Sequence, residues 1–163
     1  MLNRSSLILA ALAFASGPAI AEDIPAKLAP PAGTTLSGKY KAKGVQIYSC
    51  TAKGTANEWS FKAPEARLTG AKGNVLKHYA GPTWEAADGS KIVGKAIANE
   101  PAPKPGAIPW LLLSVESSGN GLLAGARFVQ RVNTAGGVGP TGACPKAGEE
   151  KRVNYTADYL IYK

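Results

Sequence analysis

Alternation of apolar and polar residues, with a period of two, is the dominant pattern along this chain. Val45 and Ile47 share one face of an extended segment, and Trp59 and Phe61 share one face of the next. Such alternation, rich in β-branched and aromatic residues, is typical of β-strands. The turn-like residues 53–57 lie between the two segments. The pattern therefore predicts a β-hairpin here.

Segments of the same character occur in the rest of the chain, at residues 34–40, 75–80, 83–86, 91–98, 110–115, 126–133 and 153–162. Residues 110–115 are so apolar that they predict a central strand buried on both faces. Pro64 is expected to end the strand that contains Trp59, because proline cannot donate to a strand ladder. No segment after residue 21 shows a sustained helical period. The prediction is an all-β fold, an antiparallel β-sandwich or barrel of about eight to ten short strands.

Residues 1–21 have the pattern of a cleaved signal peptide. Arg4 supplies the positive charge, residues 7–14 form a short apolar run, and Ala19–Ala21 fits the small-x-small cleavage rule. The apolar run is shorter than the roughly 20 residues that a membrane-spanning helix needs. We therefore expect one all-β domain over residues 22–163, in the periplasm or secreted, with no membrane span in the mature chain.

The charge balance is basic, with 19 Lys and Arg against 11 Asp and Glu and a net charge of +8. Lys39, Lys41 and Lys43 form the only close group, and a solvated edge strand explains them equally well. No compact basic run with interleaved aromatic residues suggests nucleic-acid binding. The expected partner is instead an unknown small molecule, glycan or envelope protein.

Cys50 and Cys144 are the two cysteines of the chain. In an exported protein such a pair predicts one structural disulfide. A catalytic thiol pair is more often close in sequence, as in Cys-x-x-Cys, and these two cysteines are far apart.

Two features that could imply a cofactor or a metal lack what such a site requires. Residues 137–142 spell the dinucleotide pattern G-x-G-x-x-G, but Pro140 lies inside it and Cys144-Pro145 follows at once. That loop cannot open the helix which would bind a pyrophosphate. His78 is the one histidine, which excludes zinc sites of the usual multi-histidine or cysteine type. We expect no cofactor and no metal.

Unusual side chains concentrate in the stretch from residue 78 to residue 90, between a Gly-Pro and an Asp-Gly turn signal. Binding residues tend to lie on such turns. Trp84, flanked by turns, is the best candidate for an exposed tryptophan that stacks on a sugar, although most tryptophans in such a fold belong to the core. The candidate ligand-binding residues are His78, Trp84, Glu85 and Asp88, joined by Arg131.

Three functions are compatible with these candidates. The first is a non-enzymatic module that binds a ligand or a partner. The second is a hydrolase of cell-envelope polysaccharide, with Glu85 and Asp88 as acid and base. The third is an inhibitor of a secreted enzyme. A triad of His78, Asp88 and Ser90 can be written, but the chain has no Gly-x-Ser-x-Gly elbow.

Several longer phrases of the chain occur together in a known group of proteins. They are residues 44–50, 59–61, 63–66, 78–85, 88–90, 109–113, 130–137 and 155–159. With these phrases the chain resembles the exported domain-of-unknown-function family 3455 of bacteria and fungi. The resemblance spans nearly all of the chain after residue 21. It implies an exported protein and brings no established activity, so no catalytic role is carried over to any residue.

Overall fold

A computed structural model describes residues 23–163, so the predicted signal peptide lies outside the described residues. Eight antiparallel strands form one closed barrel in chain order, and the last strand pairs with the first. The strands are β1 Leu36–Lys53, β2 Ala56–Gly70, β3 Val75–Tyr79, β4 Thr83–Ala86, β5 Lys91–Glu100, β6 Trp110–Ser118, β7 Phe128–Gly136 and β8 Glu150–Tyr162. A 3₁₀ helix, Ala26–Leu28, precedes them. The all-β antiparallel prediction is confirmed.

Three strands are longer than predicted, with 18 residues in β1, 15 in β2 and 13 in β8. The expectation that Pro64 ends a strand is wrong. Pro64 lies inside β2 opposite Gln46, next to a shift of register between Ile47 and Tyr48. An irregular position of this kind tolerates a residue without an N–H group, because the ladder of hydrogen bonds is already interrupted there.

The strand alternation places one set of side chains inside the barrel. On β8 these are Tyr155, Ala157, Tyr159 and Ile161, all of them buried. They pack with Leu68, Leu76, Trp84, Ile92, Leu113 and Val129 in one core cluster. Leu123 and Ala126, from the connection between β6 and β7, belong to the same cluster. That connection therefore plugs one end of the barrel.

β6 is buried on both faces, as the apolar run predicts. Leu113 belongs to the inner cluster, whereas Trp110 and Leu112 form a second cluster outside the barrel. Leu28 of the 3₁₀ helix and Val132 of β7 complete this outer cluster. The segment that precedes β1 thus covers an apolar strip on the outer wall of the barrel. This cover explains why β6 carries so few polar residues. In residues 23–163, no helix has the length and apolar character needed to cross a membrane.

The predicted disulfide is confirmed. Cys50 and Cys144 are bridged, with their Cα atoms 5.7 Å apart. The bridge joins the end of β1 to the long connection between β7 and β8. It therefore holds that connection against the β1–β2 hairpin.

Replacing both Cys50 and Cys144 with alanine is expected to lower the free energy of unfolding by about 2–5 kcal/mol. The bridge joins residues separated by 94 positions, so removing it releases a large loop in the unfolded chain. Urea unfolding of the oxidised protein and of the double variant measures the difference. The reduced parent protein serves as a control and should unfold at the midpoint of the variant. An unchanged midpoint with an unchanged denaturant slope would contradict a stabilising role.

Candidate ligand-binding site

A cavity of about 380 Å³ lies in the barrel, at the end opposite the plug formed by Leu123. All eight strands contribute to its lining, so it is the mouth of the barrel itself. Most of the lining is apolar, and its polar or aromatic side chains are Gln46, Phe61, Lys62, His78, Trp84, Arg131 and Tyr159. The volume lies within the range of about 300–1,000 Å³ that is common for small-molecule sites.

Three aromatic rings form one buried group in this mouth. β3 and β4 pair with His78 directly opposite Trp84, and the two rings stack at a centroid distance of 4.4 Å and an angle of 10°. Tyr159 meets both rings edge-on, at 5.3 Å from His78 and 5.7 Å from Trp84. Trp84 is only 1% exposed. The expectation of an exposed Trp84 is therefore wrong, because the register of β4 directs this side chain into the barrel.

The hydrogen bonding of His78 fixes the position of its proton. Nδ1 lies 2.8 Å from the carbonyl oxygen of Thr83, and a carbonyl can only accept, so Nδ1 carries the hydrogen. Burial lowers the pKa of His78 to about 4; the positive charge of Arg131 adds to this, and the bond to Thr83 opposes it. At neutral pH the imidazole is therefore uncharged. Its Nε2 atom carries a lone pair and can accept a hydrogen bond.

Arg131 brings a positive charge to the same cavity. Its Nε and Nη2 atoms donate to the carbonyl oxygen of Pro109 at 3.1 and 2.8 Å, which holds the guanidinium in place. Burial raises the pKa of Tyr159, and the charge of Arg131 opposes part of that rise. Within residues 23–163, the ion pairs at 4 Å or less do not include Arg131. The side chain is thus a fixed cation without a carboxylate partner there.

Two lining residues carry buried nitrogen donors that lack a hydrogen-bond partner in the described part of the chain. They are Gln46, through Nε2, and Trp84, through Nε1. Gln46 lies near enough to the Tyr155 hydroxyl to oppose the rise of its pKa, but without the geometry of a hydrogen bond. Buried polar groups are ordinarily paired, so such atoms call for an explanation. Trp110 Nε1 is in the same condition, but it lies in the outer cluster, away from the cavity. Gln46 and Tyr159 carry no signal in the sequence beyond their places in alternating strands, so neither is among the predicted site residues.

Glu85 lies outside this cavity. It follows the inward-facing Trp84 on β4 and points to the outer wall of the barrel. There its Oε2 atom accepts from the hydroxyl of Tyr79 at 2.7 Å and lies 3.5 Å from Nζ of Lys91. The bond from Tyr79 lowers the pKa of Glu85, and Lys91 lowers it further. Its carboxylate belongs to a surface network.

Asp88 lies at the plugged end of the barrel. Its Oδ1 atom accepts from the hydroxyl of Ser90 at 2.6 Å, and its Oδ2 atom accepts from the N–H of Leu122 at 2.8 Å. The hydroxyl oxygen of Ser90 in turn accepts from the N–H of Leu123 at 3.1 Å. These bonds, the one from Ser90 foremost, lower the pKa of Asp88. Asp88 therefore holds the plug in place.

Of the five candidate residues from the sequence, His78, Trp84 and Arg131 line one cavity and Glu85 and Asp88 do not. Within residues 23–163, no group of three or more His, Cys, Asp or Glu side chains is placed to hold a metal ion. The glycine-rich residues 137–142 form part of the connection between β7 and β8 and open no helix. The lining thus combines apolar and aromatic side chains with hydrogen-bond donors and acceptors and one positive charge, on Arg131, that is unpaired within the described residues.

A family model described as "Protein of unknown function (DUF3455)" matches residues 31–163. The chain belongs to this family. The matched residues contain all eight strands and therefore every residue that lines the cavity of this family member. Neither a curated protein nor a solved structure shows significant similarity to the chain.

The buried His78 is expected to make the stability of the protein depend on pH. Its pKa is lowered from 6.5 to about 4 on folding, so between these values the unfolded chain binds a proton that the folded chain does not. The free energy of unfolding should therefore fall by about 2 kcal/mol from about pH 7 to about pH 5. Urea unfolding at both pH values measures this change.

The His78→Gln variant is the control for that experiment, because the chain contains one histidine and glutamine can still donate to the Thr83 carbonyl. It should lose most of the dependence on pH in this window. An equal slope in both proteins would contradict the assignment to His78.

Asp88→Asn is expected to loosen the plug without changing the cavity. Asparagine keeps one acceptor oxygen for Ser90 but replaces the acceptor for Leu122 with an N–H₂ group. Amide hydrogen exchange should become faster at Leu122 and Leu123 and stay unchanged at Thr83. Glu85→Gln, on the outer wall, is the matched control and should leave the plug amides protected. Faster exchange at Thr83 in Asp88→Asn would contradict the separation of the two ends.

Proposed function

We propose that this protein is a non-enzymatic β-barrel that binds a small molecule in its mouth, in the periplasm or outside the cell. The observation that carries the proposal is the cavity of about 380 Å³, whose mostly apolar lining includes the polar side chains of Gln46, His78 and Arg131. A mostly apolar concave site with a few convergent polar groups is the usual form of a ligand pocket.

The composition of the lining supports binding over hydrolysis. The described residues that line the cavity include no Asp, Glu, Ser, Cys or Thr. Glycoside hydrolysis ordinarily needs two carboxyl groups on opposite sides of the bond that breaks. Glu85 lies on the outer wall and Asp88 at the plugged end, so the arrangement does not favour the hydrolase alternative.

The disulfide supports the proposed location. Bridges such as Cys50–Cys144 form and persist in oxidising compartments, which include the periplasm and the extracellular space. The predicted signal peptide points to the same compartments. In either compartment, a ligand dissolved in the surrounding fluid would enter the barrel through its mouth.

Molecules with two fused rings are suitable probes of the mouth, because a cavity of 150 Å³ already accommodates benzene and this one is about 380 Å³. We expect naphthol or naphthoate to bind and to shift the indole N–H resonance of Trp84 and the ring resonances of His78. Two-dimensional NMR titration measures both the affinity and the place of binding.

Ala96→Trp is expected to abolish this binding, because Ala96 lines the mouth and is exposed, so a large ring there fills the opening rather than the core. Ala71→Trp is the matched control, at an exposed turn between β2 and β3 at the other end of the barrel. Binding that persists unchanged in Ala96→Trp, or the absence of binding by any fused-ring probe, would refute the proposal.

A further inference from the structure

The polar groups of the mouth are unevenly divided between donors and acceptors. The ammonium of Lys62, the guanidinium of Arg131 and the ring N–H of Trp84 can only donate. Nε2 of the neutral His78 can only accept, and the amide of Gln46 and the hydroxyl of Tyr159 can do both. The two unpartnered donors are deeply buried, with Gln46 2% exposed and Trp84 1% exposed. Both nitrogen atoms are enclosed, so the donor that a ligand in the mouth reaches directly is the guanidinium of the half-buried Arg131.

The charge in the mouth is also unbalanced. Arg131 and Lys62 are the cations of the lining, and no lining residue carries a carboxylate. Lys62 is already paired with Glu150. Arg131 uses two of its N–H groups on the Pro109 carbonyl, and a guanidinium has five. The remaining three, which also interact with the Tyr159 hydroxyl, have no carboxylate partner within the described residues.

The position of Arg131 inside the barrel makes its charge effective. Burial raises the pKa values of Tyr155 and Tyr159, and the charge of Arg131 opposes part of each rise. Burial lowers the pKa of His78, and the charge of Arg131 adds to that effect. These three residues lie on two different strands, so the charge acts across the interior.

We propose that the ligand is an organic anion, with a carboxylate or an equivalent planar oxyanion on Arg131 and an apolar, flat portion against the stacked rings of His78 and Trp84. The proposal rests on the proposed function and specifies its ligand class. A carboxylate has only acceptors and matches the fork of a guanidinium. An inorganic anion would leave the apolar part of the lining, including Leu111 and Leu113, without a partner.

Three compounds with the same fused rings and an anionic, a neutral or a cationic substituent test this inference on the unaltered protein. They are naphthoate, naphthamide and naphthylmethylammonium, and calorimetric or NMR titration gives their dissociation constants. We expect naphthoate to bind about tenfold or more tightly than naphthamide, since hydrogen bonds to a charged group are the stronger ones. The ammonium compound should bind most weakly of the three.

Arg131→Gln is expected to reduce the affinity for naphthoate to that for naphthamide, and Arg127→Gln is the matched control. Arg127 is exposed, lies over the ring of Phe128 and does not line the cavity. Arg131→Lys keeps the charge and should retain part of the preference. If Arg131→Gln does not fold, Arg131→Lys and the three compounds on the unaltered protein still decide the question.

The outcomes separate the two proposals. Naphthamide binding as tightly as naphthoate would overturn the anion inference and leave small-molecule binding in place. Displacement of naphthoate by an equal concentration of inorganic sulfate would overturn the requirement for an organic anion. If none of the three compounds binds, both proposals fail. A preference for naphthoate that survives in Arg131→Gln would also overturn the inference, because it would place the charge recognition elsewhere.

Discussion

The closure of the barrel by the pairing of β1 with β8 is the constraint on which the remaining structure depends. It decides that one face of every strand is enclosed, so that side chains far apart in the chain meet inside. Gln46, Arg131 and Tyr159 share a cavity because their strands pair in sequence around the barrel. Without closure the same residues would lie along an open sheet, where water would satisfy each donor separately.

The two ends of the barrel use polar side chains in opposite ways. At the plugged end, the carboxylate of Asp88 receives hydrogen bonds from Ser90 and Leu122, and its hydrogen-bonding capacity is used within the protein. In the mouth, the donors of Gln46 and Trp84 have no partners among the described residues. Polar groups that are hydrogen-bonded within the protein stabilise the fold. Buried polar groups without a partner mark a region where a ligand could supply the missing hydrogen bonds.

The strand alternation predicted the fold class well, and the apolar residues 110–115 predicted a strand buried on both faces. Prediction of the site was less complete. The sequence predicts one surface for residues 78–90, but this stretch crosses the barrel from end to end along β4. His78 and Trp84 lie at the mouth and Asp88 lies at the plug, because a strand of four residues carries the chain past the core. Closeness in sequence therefore did not imply closeness in the site.

The sequence by itself determined the all-β class, the antiparallel pairing, the disulfide and the family, since these follow from local periodicity, turn residues, cysteine number and shared motifs. It did not determine the lengths of β1, β2 and β8, which depend on pairing with neighbouring strands. The tertiary structure alone decided which face of each strand is the interior. Alternation shows that Gln46 and Ile47 face opposite ways, but either face can be inward until closure and the register shift beside Ile47 select one. Because of this selection, Trp84 lies in the wall of the cavity and not on the surface as predicted, and Arg131 brings a positive charge to the same cavity.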